Sequence, residues 1–240
     1  MTPGDWADPQ RAQGYLAEAD LRVPWRAEAY ALIGELVADL EPARVADLGG
    51  GGGDLAFALL TRFPGLQLHW LDCSEAMQAA ARRRLAPFDG RVTLHRGDLA
   101  GPDWTQGIAP GLDAVVASLV THHLPDPRKP VFFREALRLL RPGGIFLLYD
   151  PVLLPTAPLR ERADRLMTRH ETGRRRARGE NVSEEAVAAE RAERRRRTTS
   201  QPAPLAEQVR WLTEAGFVDV ECWGRYLAHC LFGGYNPSTG

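Results

Sequence analysis

Lysine is almost missing from this sequence: Lys129 is the only one, although 30 of the 240 residues are basic. So strong a preference for arginine reads as compositional bias, not as phosphate recognition. The formal net charge is −1, so the molecule as a whole does not attract nucleic acid or an anionic membrane surface. Cysteine is scarce too. Cys73, Cys222 and Cys230 are odd in number and lack metal-ligand spacing, so no metal site is expected. A reducing, cytoplasmic setting is the matching expectation. No apolar stretch approaches the ~20 residues needed to cross a bilayer. The first ten residues, MTPGDWADPQ, lack the basic start and apolar run of a signal peptide. No internal repeat appears.

What is present is ordinary globular material, 44% hydrophobic and 25% charged, in a length that suits one domain. Apolar spacing predicts helices over 13–40, broken at Pro24. A regular alternation follows. Buried strands are expected at 43–49, 66–72, 91–98, 112–120 and 145–150, with helices at 54–63, 74–86 and 128–140 between them. The rhythm fails over 155–200, a polar, arginine-rich helical insertion with the spacing of one or two solvated helices and the place of a lid. Interspersed acids there argue against nucleic-acid binding. A helix at 205–216 and a hairpin of 217–223 and 225–234, turning at Gly224, complete the chain. The fold class is α/β: a Rossmann-like, doubly wound, seven-stranded sheet, mostly parallel, with an antiparallel last strand.

In such a sheet, ligands bind beyond the carboxyl ends of the strands. The first strand ends in Asp47-Leu48 and five consecutive glycines, Gly49 to Gly53, a floor without side chains. Asp54 can cap the next helix, and Asp47 adds negative charge, which suits a cationic ligand better than a pyrophosphate. Asp72, at the second strand end, can accept both hydroxyls of a ribose. Asp98 and Leu99, at the third, can bind an adenine amino group and flank its ring. The fourth ends at Ser118-Leu119, followed by His122 and His123. That pair is either a general base or simply packing near the pocket.

Taken together, these residues resemble the class I S-adenosylmethionine-dependent methyltransferases. DLGGGGG at 47–53 matches their D-x-G-x-G-x-G loop. LDCSEAM at 71–77, RGDL at 96–99, LDAVVASLVTHHLPDP at 112–127, LRLLRPGGIFLLYD at 137–150 and LTEAGFVDVECW at 212–223 resemble their later motifs. The resemblance implies S-adenosyl-L-methionine as cofactor and a small-molecule methyl acceptor. It implies that Asp47, Gly49, Gly51 and Gly53 hold the methionine part and that Asp72 takes the ribose. Cys73 and Met77 would line the adenine side, and Asp98 and Leu99 would bind adenine. Ser118 and Leu119 would lie near the sulfonium, with Tyr15 closing over the cofactor. Trp6 and Trp25 are further candidates for a substrate pocket, as are Arg225, Tyr226 and His229 on the last hairpin. Nucleic acid and membrane are not expected partners; the chain would be a monomer or a homodimer.

Two alternatives stay open on the residues. The insertion, followed by AGF, a tryptophan strand and a GG-type turn, also resembles the carboxy-S-adenosylmethionine synthases, which would imply a modified cofactor. Gly51 to Ala56 also satisfies G-x-G-x-x-A, the dinucleotide fingerprint, and Asp72 would serve an NAD(P)-dependent reductase equally well.

Overall fold

Pro24 divides the leading helical pattern as its ring requires. Helix α1 spans Pro9–Arg22 and α2 spans Arg26–Ala38, with Trp25 between them in a left-handed conformation at φ 62°. The computed structural model describes residues 9–238, so Trp6 lies outside the described residues. The alternating run then folds as β1 (Arg44–Leu48), α3 (Asp54–Arg62), β2 (Gln67–Asp72), α4 (Glu75–Leu85), β3 (Val92–Arg96), β4 (Leu112–Ser118), α5 (Lys129–Leu139) and β5 (Leu140–Pro151). Ser74 caps α4 by accepting the Met77 N–H at 3.3 Å. The insertion forms two helices, α6 (Ala157–Ala177) and α7 (Glu184–Arg196). The chain ends with α8 (Leu205–Ala215), β6 (Val218–Tyr226) and β7 (His229–Tyr235).

The seven strands are ordered β3-β2-β1-β4-β5-β7-β6, and β7 runs against its neighbours β5 and β6. The chain winds outward from β1 to β3, then restarts on the other side of β1 with β4. The carboxyl ends of β1 and β4 therefore meet at the point where the winding reverses, which opens a crevice there. Strands β1, β4 and β5 are almost wholly buried because helices cover both faces. One face packs Phe132, Phe133, Phe146, Phe217 and Phe232 under α5 and α8. The other packs Ile33, Leu55, Leu59, Trp70 and Tyr149 under α2, α3 and α4.

Two sequence expectations change. The strand expected at 145–150 begins earlier, because Leu140 already pairs with Leu112 before a register shift, with Gly143 at φ 73° inside the strand. Gly224 is also not the hairpin turn. It stays within β6, and the chain reverses at Leu227 (φ 53°) and Ala228. Glycine is required at 224 for space: a Cβ there would lie 2.2 Å from the Trp25 ring. Trp25 is thus held against β6 and edge-on to Tyr149, with ring centroids 6.0 Å apart, and it does not line the central cleft.

Candidate active site

At the reversal point a cleft opens between the ends of β1 and β4 and the two N-terminal helices. Its floor is the glycine loop. Gly49 (φ 70°) and Gly51 (φ 52°) hold left-handed turns. A Cβ on Gly50 would lie 2.4 Å from the Trp70 indole, whereas Gly51 faces open space. The loop backbone is thus bare on its cleft side. Leu16 of α1 presses on Gly52 from above.

Asp47, at the start of this loop, lines the cleft yet is almost completely buried, with neither carboxylate oxygen hydrogen-bonded. The Trp70 Nε1–H beside it is also buried and unpaired. Burial, reinforced by the nearby charge of Asp72, raises the Asp47 carboxyl to about 7. Buried polar groups are normally paired, so an orphaned carboxylate on a cleft wall calls for a cationic or hydrogen-donating ligand. Asp72 accepts from the Gly51 N–H at 3.0 Å and the Ser74 N–H at 2.8 Å. Those bonds, with further ones from Cys73, fix its carboxylate at the cleft edge. Burial raises its pKa as well.

Of the sequence candidates, Tyr15, Asp47, Gly49, Gly51, Asp72, Met77, Ser118, Leu119, His122 and His123 line the cleft, and so does His229. Gly53, Cys73, Asp98 and Leu99 do not. Gly53 (φ 82°) caps α3 and lies within 3.3 Å of Leu85 across its missing side chain. Cys73 sits beside both Asp72 and Asp98; burial and those charges push its thiol up to about 12, so it stays protonated. Asp98 accepts the Ala100 N–H at 2.9 Å in a turn. Leu99 is core. Arg225 and Tyr226 point elsewhere: the Arg225 Nε–H donates to the Leu227 carbonyl, and Tyr226 is exposed.

Sequence reasoning missed Arg26 and Tyr30 on the cleft wall, and expected Asp54 as a helix cap; Gly53 takes the cap position without a side-chain bond, and Asp54 lines the cleft instead. Arg26 pairs with Asp20 of α1 and with Asp54 at the start of α3, at 2.5 Å each, and its Nε–H donates to the Tyr30 hydroxyl. The Tyr30 hydroxyl in turn lies 3.0 Å from Ser118 Oγ. One guanidinium thus ties three helices and the β4 end around the cleft. Only a long-range charge pairing could have indicated it, and one sequence does not carry that signal.

Asp150 was also missed. It is fully buried at the end of β5 and accepts the Thr121 hydroxyl at 2.6 Å, the His122 N–H at 2.7 Å and His122 Nδ1 at 2.8 Å. With Nδ1–H donating to that carboxylate, Nε2 of His122 is left as the basic nitrogen. Parallel pairing of Ser118 with Tyr149 brings Asp150 beside the turn after β4. The third histidine, His229, is pushed down to about 4 by burial and by neighbouring His122, so it stays neutral near pH 7. Among the described residues no group of three or more His, Cys, Asp or Glu side chains could hold a metal ion, and no helix is long and apolar enough to cross a membrane.

Residues 46–146 match the family model described as a methyltransferase domain. Trans-aconitate 2-methyltransferase of Acidovorax sp. (strain JS42) is 39% identical over 112 residues, covering 46% of this chain and 39% of that protein. Its counterpart from Methylobacterium nodulans is 34% identical over 192 residues, 80% of this chain and 64% of that protein. The chain thus spans well under half of the first relative and somewhat under two thirds of the second. In fold, the DhpI–SAH complex superimposes with a TM-score of 0.63 at 20% identity, covering 99% of this chain and 98% of that one.

Proposed function

We propose that this chain, which carries a class I S-adenosylmethionine-dependent methyltransferase domain, transfers the methyl group of S-adenosyl-L-methionine to a small-molecule acceptor. The single observation that carries the reading is the buried Asp47 carboxylate, without a hydrogen-bond partner, on the cleft lining at the start of the glycine loop. It answers the α-ammonium of the cofactor's methionine part, and Asp72 answers its ribose. The Gly49–Gly52 backbone lets that ligand lie close, Ser118 and Leu119 face its sulfur, and Tyr15 covers it from α1. Cys73, Asp98 and Leu99, just outside the cleft wall, are assigned to the adenine end.

When bound, the cofactor supplies an activated methyl group for direct displacement. The protein's part is therefore placement, exclusion of water and removal of the acceptor's proton. His122 takes that proton at Nε2 while Asp150 holds the ring through Nδ1. His123 packs against His122, with ring centroids 4.0 Å apart. The matched relatives act, by their names, on small molecules, which supports an acceptor of that kind. They favour neither the carboxylated-cofactor reading nor the reductase reading. We further assign the chain to the cytoplasm as a single domain with α6 and α7 as a lid, acting as a monomer or homodimer without nucleic acid.

Isothermal titration calorimetry tests the reading. S-adenosylhomocysteine should bind the parent protein and lose at least tenfold in affinity with Asp72→Ala. Binding of NADH instead, or no binding of any adenosyl-sulfur ligand, would overturn it.

A further inference from the structure

A second cavity adjoins the first, and His122 lines both. Its wall is strongly cationic: Arg22 from the end of α1 and Arg191, Arg194 and Arg195 from α7, with Thr198, Ser200 and Pro202 completing it and no acidic residue on the lining. The acids that order this array stand behind it. Glu171, buried on α6, pairs with Arg191 at 3.2 Å and Arg194 at 2.7 Å, and Asp164 pairs with Arg191 at 3.0 Å and with Arg195. Arg22 pairs in turn with Glu18 on its own helix, and these partners do not use every donor. The Nε–H groups of Arg22 and Arg191 are buried without a hydrogen-bond partner. Buried guanidinium donors without acceptors are costly, and a carboxylate is the ligand whose geometry matches the guanidinium fork.

A third hollow joins the other two. It shares Arg191, Arg195 and Pro202 with the cationic cavity, and Pro151 and His229 with the central cleft. Its remaining wall is apolar at Val152, Leu153, Leu154, Ala163, Met167 and Ala228, with Arg160, Glu161 and Asp164 along one side. Leu153 is 38% exposed in a chain whose other large apolar groups are mostly buried. The helical insertion therefore walls a branched space, with a cationic arm that meets the cleft at His122 and a more apolar arm that meets it at Pro151 and His229.

We propose that the methyl acceptor is an amphipathic carboxylic acid. Its carboxylate is held by Arg22, Arg191 and Arg194–Arg195, its apolar body lies along Val152, Leu154 and Met167, and its reacting atom is presented at His122. This rests on the methyltransferase reading for the word acceptor; the binding itself does not. The arginine run that looks like a solvated helix face in sequence becomes the specificity wall, because α7 turns three of its arginines inward over α6. The segment after α7 is fixed in place by the only lysine. Lys129, fully buried, donates to the Gln201 carbonyl and to Asp126 Oδ1, and the Gln201 N–H donates to the His122 carbonyl at 2.6 Å.

Thermal shift and calorimetry on the full chain test this, with and without saturating S-adenosylhomocysteine. The probes are 3-phenylpropionate, its neutral amide, and citrate as a compact carboxylate without an apolar body. The expected result is a melting-temperature rise with 3-phenylpropionate, none with the amide and a smaller one with citrate. The double variant Arg22→Gln/Arg195→Gln should weaken 3-phenylpropionate at least tenfold while leaving the S-adenosylhomocysteine shift intact. Both arginines are partly exposed, and circular dichroism checks that the variant is folded. An equal response to the amide, no response to the acid, a stronger response to citrate, or unchanged acid binding in the double variant each overturns the proposal. If the acid binds as expected but S-adenosylhomocysteine does not, the methyltransferase reading fails and the acid site stands.

Discussion

Asp47 sets the clearest expectation for a single residue. Its carboxyl is raised from the ordinary 3.8 to about 7, so the folded state resists its ionisation by an amount on the order of 4 kcal/mol. The sign follows from the raised value. Stability from this group is fully present below pH 4, where folded and unfolded states are both protonated, and is lost as pH climbs toward 7. Asp47→Asn removes that loss. The variant should therefore melt above the parent at pH 8 and match it near pH 4, as read by calorimetry. It should also bind S-adenosylhomocysteine at least tenfold more weakly, since the ammonium's partner is gone. A second expectation concerns His122. Imidazole nitrogen NMR should report an Nδ1-protonated ring, and Asp150→Asn should abolish that preference. In an acceptor assay His122→Gln should lower kcat by about 10²–10⁴ with S-adenosylhomocysteine affinity unchanged. Asp47 was legible in sequence because a strand end followed by glycines announces itself locally. Asp150 was not: its role depends on β4 and β5 lying side by side, 28 residues apart along the chain from His122.

Among the elements, α2 carries most of what sequence left hidden. It is opened by Trp25, whose ring fills the place of the missing Gly224 side chain, and it delivers Arg26 and Tyr30 to the cleft. The hairpin and the cleft wall are thereby mechanically joined. Gly224→Ala would thrust a methyl group into that ring, an overpacking expected to cost about 1–3 kcal/mol. Urea unfolding should show this loss, and S-adenosylhomocysteine affinity should fall with it because α2 must shift. The helices and strands between 44 and 139 were readable because period and breakers agree at each step, from Pro64-Gly65 after α3 to Ser74 before α4. The hairpin turn was misplaced because a lone glycine signals missing volume as readily as reversal, and only the packing of Trp25 tells which.

At the scale of the whole molecule, two kinds of adhesion coexist. The sheet is held by apolar layers: Phe146 is fully buried, with ring centroids 6.1 Å from Phe132, 5.7 Å from Phe133 and 5.5 Å from Phe217. Phe146→Ala should cost about 3–5 kcal/mol in urea unfolding. The insertion is different. On α6 and α7 the buried apolar side chains are Ala163, Met167 and Val187, and ion pairs such as Glu171 with Arg191 and Arg194 link the two helices. Exposed pairs contribute little and are screened by salt, whereas buried ones are screened much less. The insertion should therefore open locally at lower free energy than the sheet. Hydrogen exchange should be faster throughout α7 than in β1, β4 and β5. Raising salt from about 0.05 to about 0.5 M shortens the screening length from roughly 14 to roughly 4 Å. That should speed exchange in the last turn of α7, where Arg196 and Arg197 bind Glu193 at 70% and 76% exposure. It should leave the turn bearing Arg191 nearly unchanged, because its partner Glu171 is 2% exposed. Uniform acceleration along α7 would mean that the Arg191–Glu171 pairing does not hold the insertion closed over the acid-binding arm.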